Sequence, residues 1–159
     1  MISALAASAR TYAMGDRFLE RLVGDFTEAD WRYTDAVGHN ARWIVGHLAG
    51  YRNQVASLIG LEPRATPWAA AFARGTSAAD LPEDVDPGVL VASFHAAQAA
   101  VAGGWEAVTE ADLAKPFGRT LPDGSDTVGD AIRFFAWHEA YHLGQLGLLR
   151  RLAGKPGSA

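Results

Sequence analysis

Apolar residues recur at three- and four-residue spacing in four segments, and stretches rich in turn residues separate them. The first segment runs from about Ile2 to Phe26, with Ile2, Leu5, Ala9, Tyr12, Leu19, Val23 and Phe26 on one stripe. The second follows Asn40, a good N-cap, and carries Ile44, Leu48, Tyr51, Val55 and Leu58 up to Gly60. The third opens on Asp86-Pro87, a cap residue followed by proline in the first turn, and presents Leu90, Phe94, Ala97, Val101 and Val108. The fourth starts near Thr127, with Asp130 placed to complete a capping pair, and ends at Gly154 just before Pro156. No segment alternates strongly enough to build a sheet. The pattern predicts an all-α fold, a four-helix bundle.

The connection between the second and third segments is long and contains Pro63, Pro67 and Pro82. A link of that length suits a bundle with a long crossover connection, in which one link spans the bundle instead of turning tightly. "TLPDGSD", ahead of the fourth helix, is a turn signal that could close a short hairpin. "TEAD" occurs at Thr27 to Asp30 and again at Thr109 to Asp112, which reads as reuse of a good helix-start tetrapeptide.

Within the fourth stripe, Val128, Ala131, Phe135, His138, His142, Gln145, Leu149 and Leu152 fall on one face, and the middle three are polar. Unpaired buried polar groups cost roughly 1–3 kcal/mol each, so three in a row need a common partner. Histidines four apart sit about 40° apart around a helix and about 6 Å along it, close enough for both to ligate one ion. The bland alternative is that each hydrogen-bonds within the core. His138-Glu139-Ala140-Tyr141-His142 also spells H-E-x-x-H, the zinc-protease helix with its glutamate base. That motif class takes a third ligand from downstream, and "LGQLGLLRRLAGKPGSA" holds no histidine, aspartate or glutamate. No candidate sheet edge is present to hold a peptide either. The protease reading fails on both counts.

A third ligand must then come from upstream. His47 lies between Ile44 and Tyr51 on the second helix, on or beside its buried face. His95 falls on a flank with Val91 and Gln98, and His39 precedes the second helix, so both take a packing or loop role. Gly46 and Gly50 bracket His47, and Gly144 and Gly147 follow His142. Such helix-interior glycines suggest close approach or pocket space, or simply a glycine-rich composition.

Composition narrows the classes. At 159 residues the chain fits one domain, 1–159, with 49% hydrophobic and 20% charged residues, as in ordinary globular proteins. A net charge of -4 argues against a broad nucleic-acid or anionic-membrane surface. No apolar run approaches the roughly 20 residues that span a bilayer, and the N-terminus reads as an amphipathic helix, so a cytoplasmic location is expected. There is no cysteine, so disulfides, thiolate ligands and a cysteine nucleophile are excluded.

"WIVGHLAGYR" and "FFAWHEAYHLGQLGLLRRLAG" resemble the histidine motifs of the DinB-like superfamily, also called DinB/YfiT-like metalloenzymes, in helix order and spacing over nearly the whole chain. The resemblance implies a divalent metal, zinc or nickel, on His47, His138 and His142, and a homodimer. It also implies a small-molecule substrate: members with known activity include transferases and isomerases that use the thiols bacillithiol or mycothiol, among them maleylpyruvate isomerase. A metal-dependent enzyme of the thiol-dependent transferase type, with a low-molecular-weight thiol as cosubstrate, is the resulting expectation. A hydrolase using metal-bound water and a non-catalytic metal- or ligand-binding bundle are the alternatives. For catalytic roles, Gln145 is expected to orient a ligand and Glu139 to serve as a base near the rim, with Asp16 as a further carboxylate behind the site.

Overall fold

Thr127 starts the longest helix by a capping box in which its hydroxyl accepts from the Asp130 amide while the Asp130 carboxylate accepts from the Thr127 amide. In the computed structural model, which describes residues 1–157, this helix is α6, Val128–Leu152. The other long helices are α1 (Ser3–Val23), α3 (Ala41–Leu58, capped by Asn40) and α4 (Pro87–Gly104, capped by Asp86). Short helices α2 (Glu28–Arg32) and α5 (Glu110–Leu113) open on the two "TEAD" tetrapeptides, each with a complete capping box. Among the described residues there is no strand. The predicted hairpin is a loop closed by a bridge between Pro116 and Thr127.

Two predicted ends shift. α1 stops at Val23, and Phe26 packs on the core from beyond it. α4 stops at the Gly103-Gly104 pair, and a 3-10 turn over Trp105–Ala107 carries the chain to a buried Val108. One stripe member also fails: Leu152 is exposed.

α1 packs on α4 and α6, and α3 packs on the same two, so the ring runs α1, α6, α3, α4. Contacts fix the directions. Arg42, at the start of α3, donates to the carbonyls of Pro82 and Val85 just before α4. At the other end, Gly104 lies against Ile59 and Leu61 just after α3. The two helices are therefore parallel, and the crossover must return the full length of the bundle between them. α1 and α6 are also parallel: the Tyr12 hydroxyl donates to the Ile132 carbonyl and Arg150 donates to that of Leu22. α3 and α6 run in opposite directions, with Trp43 beside His142 and Tyr51 beside Phe135.

The buried apolar side chains form two clusters, one around Leu22, Ile44, Phe94 and Leu146, the other around Leu5, Val101, Trp105 and Ile132. Near mid-bundle lies a polar layer to which each long helix contributes: Asp16 of α1, Arg52 of α3, Gln98 of α4 and Glu139 of α6. Arg52 satisfies all five of its donors, two on Glu139 and one each on Asp16, Gln98 and the Tyr12 carbonyl. Its plane also lies 3.6 Å from the centroid of Phe94.

Candidate metal centre

α3 presents His47 toward α6, which presents His138 and His142 one turn apart. One ring nitrogen of each lies within 4.8 Å of the other two. The Nε2 atoms of His138 and His142 are 3.1 Å apart. Two nitrogens about 2.0–2.1 Å from one ion, at angles of about 90–110°, stand roughly 2.8–3.4 Å apart. This pair is at ligand spacing.

Outside partners set two of the tautomers. His47 Nδ1 donates to the Phe72 carbonyl at 2.7 Å, and His142 Nδ1 donates to Gln145 Oε1 at 2.6 Å. Each bond leaves an Nε2 lone pair turned inward. His138 Nδ1 is buried with no hydrogen-bond partner among the described residues. With its proton on Nδ1, His138 faces His142 lone pair to lone pair; with its proton on Nε2, Nδ1 becomes a stranded acceptor. The protein satisfies neither form from within, and a cation at the centre stabilises the first.

Electrostatics points the same way. Burial pushes the His138 imidazole down to about 3, with the charges of His142, His47 and Arg74 adding to it. Burial likewise takes His142 down to about 4, aided by His47 and opposed by the Gln145 bond. His47 is lowered by burial against the raising effect of its bond to Phe72. All three are neutral near pH 7, the form that ligates metals.

The crossover completes the wall. Trp43 stacks on His47 with ring centroids 4.5 Å apart, and its indole N–H donates to Thr76 Oγ1 at 2.9 Å. The Thr76 hydroxyl turns back on the Ala71 and Ala73 carbonyls, which holds Phe72 in place. A Cβ at Gly46 would lie 2.3 Å from Phe72 Cδ1, so close approach explains that glycine. Gly50 and Gly144 would meet nothing within 4 Å and Gly147 only ordinary contact, so close approach explains none of those three.

Gln145 stands where a residue orienting His142 should, and its amide also donates to the Tyr141 hydroxyl at 3.3 Å. Glu139 requires a correction. It is 3% exposed, and both its oxygens bind Arg52, so it is no base at the rim. One residue on from His138 is about 100° around the helix, which turns Glu139 toward α1, where it packs against Gly15. Burial pushes its carboxyl up, against the lowering effect of Arg52. Asp16 is corrected too: it binds Arg52 and His95, and none of the three histidines. His95 also approaches Glu20, and His39 pairs with Asp35 ahead of α3.

Two adjoining clefts, of about 360 and 320 Å³, open at the centre. The first reaches His47 and the second His138, and Tyr51, Arg74 and Arg119 line both. A further cleft of about 360 Å³ between α1 and α6, against Met14 and Leu143, has no histidine in its wall. Sequence reasoning missed Arg52, although an arginine four residues after Leu48 on an apolar stripe was a signal. It also missed Phe72, Arg74 and Arg119, which lie in connections without periodicity.

The family model of the DinB superfamily matches residues 10–146. Among solved structures, YfiT from Bacillus subtilis matches with a TM-score of 0.69, covering 94% of this chain and 87% of that one at 17% identity. YfiT is described as a probable metal-dependent hydrolase with an unusual four-helix bundle topology; at this identity the likeness carries the fold. No curated protein matches the chain. The family match takes in His47, His138, His142 and Gln145 together with most of all four long helices, and the chain belongs to the DinB superfamily.

Proposed function

We propose that this protein is a metal-dependent enzyme that holds one divalent ion, zinc or nickel, on His47, His138 and His142 and transfers a group to a low-molecular-weight thiol. The observation that carries the reaction type is the lining of the two clefts, which among the described residues contains no aspartate or glutamate. Glu139, next to His138 in sequence, has both oxygens committed to Arg52. A nucleophile used here must ionise near neutral pH without a carboxylate base. A thiol, with an ordinary pKa of about 8.5, needs little help to do so. The chain has no cysteine, so that thiol belongs to a cosubstrate.

Three neutral imidazoles leave a divalent ion with an open position, through which it supplies Lewis acidity to a bound nucleophile or carbonyl. The protein's own residues do the rest. The Phe72 carbonyl and Gln145 hold two rings in their working tautomers, and the Trp43 and Tyr51 rings pack against His47.

The description of YfiT favours a second reading, hydrolysis with water in place of the thiol. Elemental analysis of tag-free protein tests the shared premise: one equivalent of metal in the wild type and little in His138→Ala. Cobalt-substituted protein titrated with small thiols separates the two reactions, because sulfur ligation adds near-ultraviolet charge-transfer absorption. A spectrum unmoved by thiols, together with thiol-independent ester cleavage, selects the hydrolase. Absence of both responses with the metal retained selects a non-catalytic bundle.

A further inference from the structure

The clefts at the histidines carry positive charge that their walls do not balance. Arg74 comes from the crossover and Arg119 from the loop before α6, and both side chains are exposed and line both clefts. Arg32, Arg52, Arg133 and Arg150 all pair with carboxylates. Arg74 and Arg119 pair with none among the described residues, and Arg119 only covers the Phe117 ring at 5.0 Å. In a chain of net charge -4, two guanidinium groups facing a shared space with no acidic neighbour in its walls among the described residues mark a place for a negative ligand. Guanidinium forks match the oxygens of carboxylate and phosphate in particular. Tyr51, Phe72 and Phe134 add aromatic surface to the same walls, suited to an apolar body.

We propose that the paired clefts bind a small molecule with a terminal oxyanion, carboxylate or phosphate, gripped by Arg74 and Arg119 while its apolar body reaches toward His47 and His138. This rests on the histidine cluster being the reacting centre, and it names the substrate class. The arginines come from two different connections, so the ligand itself bridges the crossover and the loop before α6.

Nuclear magnetic resonance of isotope-labelled, metal-stripped protein tests this without turnover. Benzoate, phenyl phosphate and the neutral benzamide are titrated into wild type, Arg74→Ala/Arg119→Ala and Gly144→Ala. Benzoate or phenyl phosphate should shift signals of Tyr51, Arg74 and Arg119, and the tighter of the two identifies the group. Benzamide should shift none of them. The double arginine variant should bind the anion at least about tenfold more weakly, and Gly144→Ala, outside both clefts, should bind it as the wild type does. The arginine variant should also keep its full metal content, so loss of the anion site and loss of the metal site are read separately. Equal binding of benzamide and benzoate, wild-type affinity in the double variant, or no shift with either anion overturns the proposal.

Discussion

Arg52 and Glu139 meet in the middle of the bundle through two hydrogen bonds of 2.7 Å, Nε to Oε2 and Nη2 to Oε1, with the two residues 1% and 3% exposed. The pair turns an apparent protease glutamate into a structural one. Removing one partner of such a pair costs about 3–5 kcal/mol, because the other charge is left buried. Arg52→Met should therefore lower stability by about that amount in urea unfolding. Glu139→Gln keeps the shape and some bonds and should lose less, about 1–3 kcal/mol, while keeping its metal. Lost turnover with unchanged stability in Glu139→Gln would restore the glutamate as a base.

Gln145→Leu removes the acceptor that holds the His142 tautomer. Loss of such an outer partner typically weakens metal binding about 10–100-fold. Competition with a chromophoric chelator should show this, with the helical circular dichroism unchanged.

Gly46→Ala places a methyl group where the Phe72 ring now sits. Phe72 must move, and its carbonyl then releases His47 Nδ1. Overpacking of this kind costs about 1–3 kcal/mol. Metal affinity should fall with stability, and Gly144→Ala, which meets open space, should change neither.

Chelation should lower the melting temperature without unfolding the protein, because two apolar clusters remain in the metal-free bundle. A metal at one hundred times its Kd adds about 2.7 kcal/mol to the folded state. Calorimetry with and without chelator reads the difference, and full unfolding at room temperature after chelation would contradict it.

The metal-free protein should also weaken in mild acid. His138 and His142 titrate at about 3 and about 4 in the folded chain, below the ordinary 6.5. A histidine depressed on folding holds its proton more tightly when unfolded, so its contribution is complete above 6.5 and is lost as pH falls toward 4. Asp25, held down to about 2 by its hydrogen bond to Arg150, acts in the same direction but only below its ordinary 3.8. Melting temperatures of chelated wild type should fall between pH 6.5 and 4, and His138→Ala should flatten that slope.

The four long helices were legible because their stripes run for many turns and their caps, Asn40, Asp86 and Thr127, are explicit. The short helices α2 and α5 show only their capping boxes, since four or five residues carry no period. His138 and His142 stood out as polar groups on an apolar stripe, and His47 followed from needing an upstream partner. Glu139 was misplaced because α6 buries a second face: Glu139 follows Ile132 and Phe135 at seven- and four-residue spacing, and all three are buried. Phe72, Arg74 and Arg119 reach the centre only through the three-dimensional course of two connections, which no helical period encodes.

The pairing of α1 with α6 along the same direction has a kinetic consequence. Tyr12 bonds a carbonyl 120 residues away and Arg150 one 128 residues away, and contacts of α1 with α4 and of α3 with α6 stand where an up-down-up-down bundle packs consecutive helices. Loops of that length must close before these contacts form, so this protein should fold more slowly than a simple bundle of its size. His47 and the two histidines of α6 come together in the same late closure. A metal held by these three histidines would then be captured after chain assembly and would not template it.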